Sequence, residues 1–296
     1  MGKKKLQIKI TRLDEREIDF DLINSEFPFA NAIRRILLAE VPTMAIEKIH
    51  LYRNTTELPD FALCQRLGLI PIKADASEFE MKNSSEDEAT DRNTIRLSLD
   101  VQCPINNNGE NLHVYSDSIK WQPIGDQTTR FESEPIRPVD MDILLMKLAP
   151  SQQIDAQMEC HKGIGKDHAK YCPVAACFYR FVTEFHFDHD KQLEHGELEI
   201  LKTFFPPGYL DFNDIDKTNG FPCIINNRFN RSDFTMQSWD NHQCLRKKIQ
   251  FETKTNTLAF TIESIGAIDP SELVIQSIDI LKSKCTKFIK HIKRNK

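Results

Sequence analysis

The chain has 296 residues, 40% hydrophobic and 28% charged, enough for one large or two modest domains of ordinary globular composition. Its formal net charge of −5 argues against a protein that holds duplex nucleic acid over a broad surface, without excluding a member of a larger nucleic-acid machine. No run approaches the ~18 apolar residues of a membrane span.

At the start, Met1-Gly2-Lys3-Lys4-Lys5-Leu6 has lysines with no apolar stretch behind them, and Leu6 stands where a myristoylation signal wants Ser or Thr. A soluble, intracellular chain is expected. Leu6, Ile8 and Ile10 alternate with polar residues, as do Ile18, Phe20 and Leu22, which predicts two half-buried strands joined near Asp14. A helix follows from Phe27. Asn24 or Ser25 can cap it, Pro28 fits its first turn and Pro42 stops it. Phe29, Ile33, Ile36 and Leu37 share one face, with Arg34 and Arg35 beside it. That pattern suits a docking element, and equally a core helix with two solvated arginines. A strand is expected from Ala45 to Tyr52, then a short helix opened by Leu58-Pro59-Asp60 and closed by Gly68 as C-cap.

Residues 74–92 carry seven carboxylates and read as a solvated loop, since the spacing matches no EF-hand. Strands are expected at Thr94–Cys103, Leu112–Trp121, around Ile154–Cys160 and over Val174–Phe187, with a turn at 104–111 and a connector over 137–146. From about 194 to 241, Pro206-Pro207-Gly208 and many Asn and Asp residues predict loops around one helix. Leu258, Phe260 and Ile262 alternate in a last strand. A long helix then spans 271–292, with Asp269 as cap, Pro270 in its first turn and Glu272 at capping-box spacing. Val274, Ile278, Leu281, Cys285, Phe288 and Ile292 recur at alternating steps of four and three, a heptad-type seam that fits either the chain's own sheet or a second chain. Lysines crowd its final half, where the helix dipole favours cations.

Candidate chemistry is sparse. The eight cysteines include no C-x-x-C pair, so small buried thiols are expected rather than a disulfide framework or a zinc knuckle. Lys162-Gly163-Ile164-Gly165-Lys166-Asp167 lacks the glycine gap and the Ser or Thr of a phosphate loop. His195-Gly196-Glu197 has no P-C-x-x-C behind it. His186 with His189 could bind a metal, but so many polar side chains next to a strand end are more often a solvated turn. His168 with Cys172 could make a thiol nucleophile, but the orienting third group is missing. No catalytic residue, metal ligand or cofactor is assigned.

The strings from Phe29 to Ile46 (FANAIRRILLAEVPTMAI) and from Gln65 to Ile72 (QRLGLIPI) resemble the signature of the alpha-like subunits of multisubunit RNA polymerases. LAPSQQI at 148–154, KGIGKDHAKYCPVA at 162–175 and IESIGAIDPSEL at 262–273 match the same family in order. Within it the chain is most similar to the larger alpha-like subunit shared by eukaryotic polymerases I and III, on VYSDSIKWQPIGDQ at 114–127. The polymerase II counterpart's zinc-binding cysteines have no equivalent in 74–92. Cys64 and Gln65 depart from the usual small residue and His, and Ser151 from a usual Gly.

The resemblance implies an α+β fold. A split dimerisation domain of 1–40 and 246–296, an antiparallel sheet plus two helices, would carry an inserted, mainly β domain of 41–245. It implies a non-catalytic nuclear (nucleolar and nucleoplasmic) assembly subunit that heterodimerises with a smaller alpha-like subunit. Phe29, Ile33, Ile36, Leu37 and the seam Val274, Ile278, Leu281, Cys285, Phe288 and Ile292 would meet that partner. Arg34, Arg35, Arg66, Lys166, His168 and Lys170 would face the largest and second-largest subunits and a small zinc-binding subunit. No sequence-specific DNA contact and no membrane association are implied. A polymerase II-type or archaeal-type subunit, a metal- or thiol-dependent hydrolase and a homodimeric adaptor are the alternatives.

Overall fold

The computed structural model describes residues 5–82, 84, 87–105, 110–188, 190–194, 196–215, 220–229 and 243–294. His189, His195 and parts of the predicted turn at 104–111 and of the acidic segment lie outside them. The described elements are β1 (Gln7–Leu13), β2 (Glu17–Ile23), α1 (Phe27–Ala39), β3 (Pro42–Asn54), α2 (Asp60–Gly68), β4 (Ile72–Lys73), β5 (Ile95–Gln102), β6 (Leu112–Tyr115), β7 (Lys120–Gln122), α3 (Gln127–Arg130), β8 (Arg137–Pro138), β9 (Leu144–Leu148), β10 (Gln153–Ile164), β11 (Val174–Phe187), α4 (Glu197–Phe204), β12 (Leu210–Ile215), β13 (Pro222–Ile224), β14 (Arg228–Phe229), α5 (Gln243–Arg246), β15 (Ile249–Ser264) and α6 (Pro270–Arg294). The fold is α+β, as expected. One sheet runs β1-β2-β15-β11-β14 and another β3-β10-β5-β7.

The chain divides into two compact units. One holds the described residues of Met1–Lys9, Phe20–Glu26 and Tyr179–Phe260. The other holds Ile10–Asp19, Phe27–Phe178 and those of Thr261–Lys296. In the first, aromatic side chains make the core. Phe185, Phe187, Phe204, Phe205, Tyr209 and Phe221 pack with Leu201, Leu245 and Ile249, and Phe20 stacks on Phe260 at 5.1 Å. Arg228 grips Asp21 with both Nη atoms, at 3.0 and 2.5 Å.

In the second unit β10 is the spine, antiparallel to β3 on one side and β5 on the other. Its alternation buries Ile154, Ala156, Met158 and Cys160, and Ile154, Met158 and Cys160 share a core with Ile95, Leu97 and Leu99 of β5 and Leu63 and Leu67 of α2. The β3–β10 register skips Tyr52 and Glu47, so both are bulged residues of β3.

Several local expectations are corrected. β1 is exposed along its whole length, with Ile8 and Ile10 more than half accessible, so it is not half-buried. The strand expected over Leu112–Trp121 breaks at a 3-10 turn, Ser116–Ser118. The buried Ser116 hydroxyl donates to Asp140 O at 2.6 Å and accepts from Ile143 N at 3.2 Å, a local competition that ends β6. Its two halves pair with different strands, β6 with β9 and β7 with β5. Gly68 is the last helical residue rather than a left-handed cap; Leu69 closes α2 in a right-handed conformation. The acidic stretch is not wholly solvated, because Phe79 is buried, stacked on Phe131 at 5.5 Å with the Arg130 guanidinium over both rings.

Candidate partner interface

Three helices and one loop carry the predicted site residues. On α1, Ile33, Ile36 and Leu37 are buried by this chain itself, so they are core side chains and not a face left open for a second polypeptide. Phe29 is half-buried and Phe27 half-exposed. Arg34 donates through Nε and Nη2 to Asn31 Oδ1, at 3.2 and 3.0 Å, while Arg35 is exposed.

α6 packs against α1 and is tied to its end by Lys284 Nζ donating to Glu40 Oε1 at 2.5 Å. Only Pro270, Leu273 and Ser277 of α6 are buried. At about 100° per residue the predicted seam is rotated roughly 80° from the Leu273–Ser277 stripe. The seam therefore faces away from the helix's own packing. Val274 and Leu281 are half-buried; Ile278, Cys285, Phe288 and Ile292 are exposed. Phe288 is 66% accessible and Ile292 44%, a contiguous apolar strip on the last turns. Ile275 and Ile289, more than half exposed, extend it. They were missed because only the heptad positions were followed; Ile289, four residues after Cys285, was readable from spacing. Phe27 was missed as a mere start signal.

The 162–173 loop is a clamp. A Cβ on Gly163 would sit 2.5 Å from the Tyr171 ring, and one on Gly165 2.3 Å from Leu38 O at the end of α1. The glycines thus permit close packing and cradle no phosphate. Lys166 N donates to Ala39 O at 2.9 Å, and Thr43 Oγ1 to Tyr171 O at 2.8 Å. The bulge at Glu47 aims its carboxylate at this loop, where it pairs with Lys170 and accepts from the Tyr171 hydroxyl at 2.9 Å. Burial pushes the Glu47 carboxyl up, but these bonds and the Lys170 charge outweigh it, leaving it below the ordinary value. Burial and the Glu47 bond raise the Tyr171 phenol.

Lys170 also donates to Ile46 O at 2.9 Å, and Arg66 to Leu145 O at 3.1 Å and Leu144 O at 2.7 Å. Arg66 and Lys170 are thus engaged within the chain. Lys166 and His168 are exposed, although His168 Nδ1 accepts from Lys170 N at 3.1 Å.

The enzyme alternatives find no assembled site among the described residues, which leave out His189. Among the described residues no group of three or more His, Cys, Asp or Glu side chains is placed to hold a metal. Cys172 Sγ donates to Val174 O at 3.3 Å, and among the described residues His186 lies 3.9 Å from Glu184. All eight cysteines are free, but only Cys103 and Cys160 are buried while Cys223, Cys244 and Cys285 are exposed, which corrects the expectation of buried thiols. Burial pushes Cys177 up to about 12 and raises Cys160 as well, which makes these two inert.

The family model for the RNA polymerase Rpb3/Rpb11 dimerisation domain matches residues 19–285, a span running from β2 into the exposed half of α6. The chain belongs to this Rpb3/Rpb11 family. It is 37% identical over 300 residues to the DNA-directed RNA polymerases I and III subunit RPAC1 of Mus musculus, covering 97% of this chain and 84% of that one. It is 36% identical to the Homo sapiens subunit of that name, over 97% and 84%. For Saccharomyces cerevisiae the figure is 35%, over 95% and 86%. The matched span includes α1, the clamp loop and the first part of α6, as far as Cys285.

Proposed function

We infer that this chain is the larger alpha-like subunit of DNA-directed RNA polymerases I and III, a non-catalytic assembly subunit acting within the nucleus. The observation that carries the reading is the apolar seam of α6, left open by the chain's own packing in a protein of the Rpb3/Rpb11 family. A smaller alpha-like subunit covers Ile278, Phe288, Ile289, Ile292 and the exposed start of α1. Each Leu- or Phe-sized side chain buried there contributes about 1.5–3 kcal/mol, enough in sum for a permanent pair after association costs.

The dimerisation domain comprises 1–40 and 246–296, with 41–245 inserted, and the pair forms the platform on which the two largest subunits assemble. Arg35, Lys166 and His168 offer charge-assisted contacts to those subunits and to a small zinc-binding subunit. Arg34, Arg66 and Lys170 hold the surface in shape. Assembly in both the nucleolus and the nucleoplasm follows from service in two polymerases.

The test is co-expression with the smaller alpha-like subunit. Phe288→Asp with Ile292→Asp abolishes stoichiometric co-purification while the circular dichroism and melting point of the chain stay unchanged. Full recovery of the partner by this double variant overturns the reading.

A further inference from the structure

The second half of α6 carries a feature that the apolar seam does not use. Residues 282–294 are exposed throughout, and among them stand Lys282, Lys287, Lys290, Lys293 and Arg294. Among the described residues none of these five cations makes an ion pair, in contrast to Lys284 with Glu40. At about 100° per residue they centre roughly 150° from the apolar seam. A partner seated on the seam therefore leaves this face open.

Helix-end electrostatics do not explain the whole set. The dipole favours cations only within the last turn, and Lys282 and Lys287 lie further back. Nucleic acid is a poor match, because the patch is a narrow stripe with a single Arg on a chain of net charge −5. No aromatic ring interleaves the five cations; Phe288 lies on the seam side. A lysine-rich segment of this length suits instead a polypeptide lined by carboxylates, and cation-rich runs of this kind serve nuclear targeting.

We propose that the cationic face formed by Lys287, Lys290, Lys293 and Arg294 of α6, with Lys282 behind it, docks an acidic groove on a nuclear-import adaptor and carries the assembled heterodimer into the nucleus. The proposal rests on the nuclear-subunit reading above, and its test separates the two.

The purified heterodimer with the smaller alpha-like subunit is titrated with importin-α lacking its autoinhibitory segment, at physiological ionic strength. The same heterodimer is titrated separately with a short DNA duplex. The quadruple variant Lys287→Gln, Lys290→Gln, Lys293→Gln and Arg294→Gln keeps good helix formers and alters no buried group. Expected is about a tenfold or greater loss of adaptor affinity, unchanged heterodimer recovery, and restored binding when the same positions carry Lys287→Arg, Lys290→Arg and Lys293→Arg instead. A wild-type heterodimer that ignores the adaptor, a quadruple variant that binds it undiminished, or binding of the duplex in its place overturns the proposal and leaves the assembly reading intact. Failure of the wild-type chain to form the heterodimer would instead remove the assembly reading itself.

Discussion

Single residues decide how tightly the clamp loop closes. Gly165→Ala drives a Cβ into Leu38 O, a backbone atom with nowhere to retreat, and should destabilise by about 2–3 kcal/mol. Gly68→Ala is the matched control. Its Cβ meets only Ile46 O at 3.8 Å, and at a helical position it should gain about 0.5–1 kcal/mol. Ser151 is held at φ 67°, where a side chain is strained, so Ser151→Gly should stabilise by about 1 kcal/mol, a rise of roughly 2 °C in melting temperature. His161 sets a pH dependence. It is buried between Glu159 and Glu47, which favour its charged form, and Lys82 and Lys48, which oppose it; burial is the largest cause, and its pKa lies below the ordinary 6.5. The unfolded chain takes the proton first, so stability is complete above about pH 6.5 and falls as the pH drops toward the folded value. Melting curves of His161→Gln should be flatter than wild type between pH 7 and 5. The Gly165 and Ser151 substrings were readable as family motifs, but the reasons for those residues were not, since a close approach and a backbone angle leave no mark in composition.

Elements were legible where periodicity was strong. α1, α2, β5, β10, β11 and α6 fall within a few residues of their expected spans. What failed was the meaning of an apolar face. Ile33, Ile36 and Leu37 read as well for docking as for core, and only burial by α6 and the rest of the chain decides that they are core. Ile33→Asp therefore should unfold the second unit rather than only release a partner, seen as lost cooperativity in thermal melting. Ile278→Asp, on a side chain 38% exposed, should leave melting intact and weaken pairing. Likewise the 112–121 stretch was read as one strand, although its apolar residues change phase from Leu112 and Val114 to Ile119 and Trp121 across Ser116-Asp117-Ser118, where the Ser116 hydroxyl diverts the chain into two sheets. The acidic segment hid its buried aromatic anchor, Phe79, because a lone aromatic among carboxylates has no period to announce it.

At the scale of the molecule, the exposed strip on α6 predicts conditional solubility. Expressed alone, the chain should aggregate or self-associate in proportion to concentration, and co-expression with the smaller alpha-like subunit should raise the soluble fraction several-fold, read by size-exclusion chromatography. A stable, fully soluble monomer would contradict an open pairing face. The close seat of Gly165 on the last carbonyls of α1 has a reach beyond packing. An axial shift of α1 would push the outward-facing turn at 166–168, so the helix would act as a pushrod between the proposed pairing surface and that turn. Occupancy of the first should then be felt at the second as slower amide exchange over 163–168, in residues outside the proposed pairing surface. Joining two polypeptides would in that way ready the site for the third, and sequential assembly would be written into the mechanics of one helix.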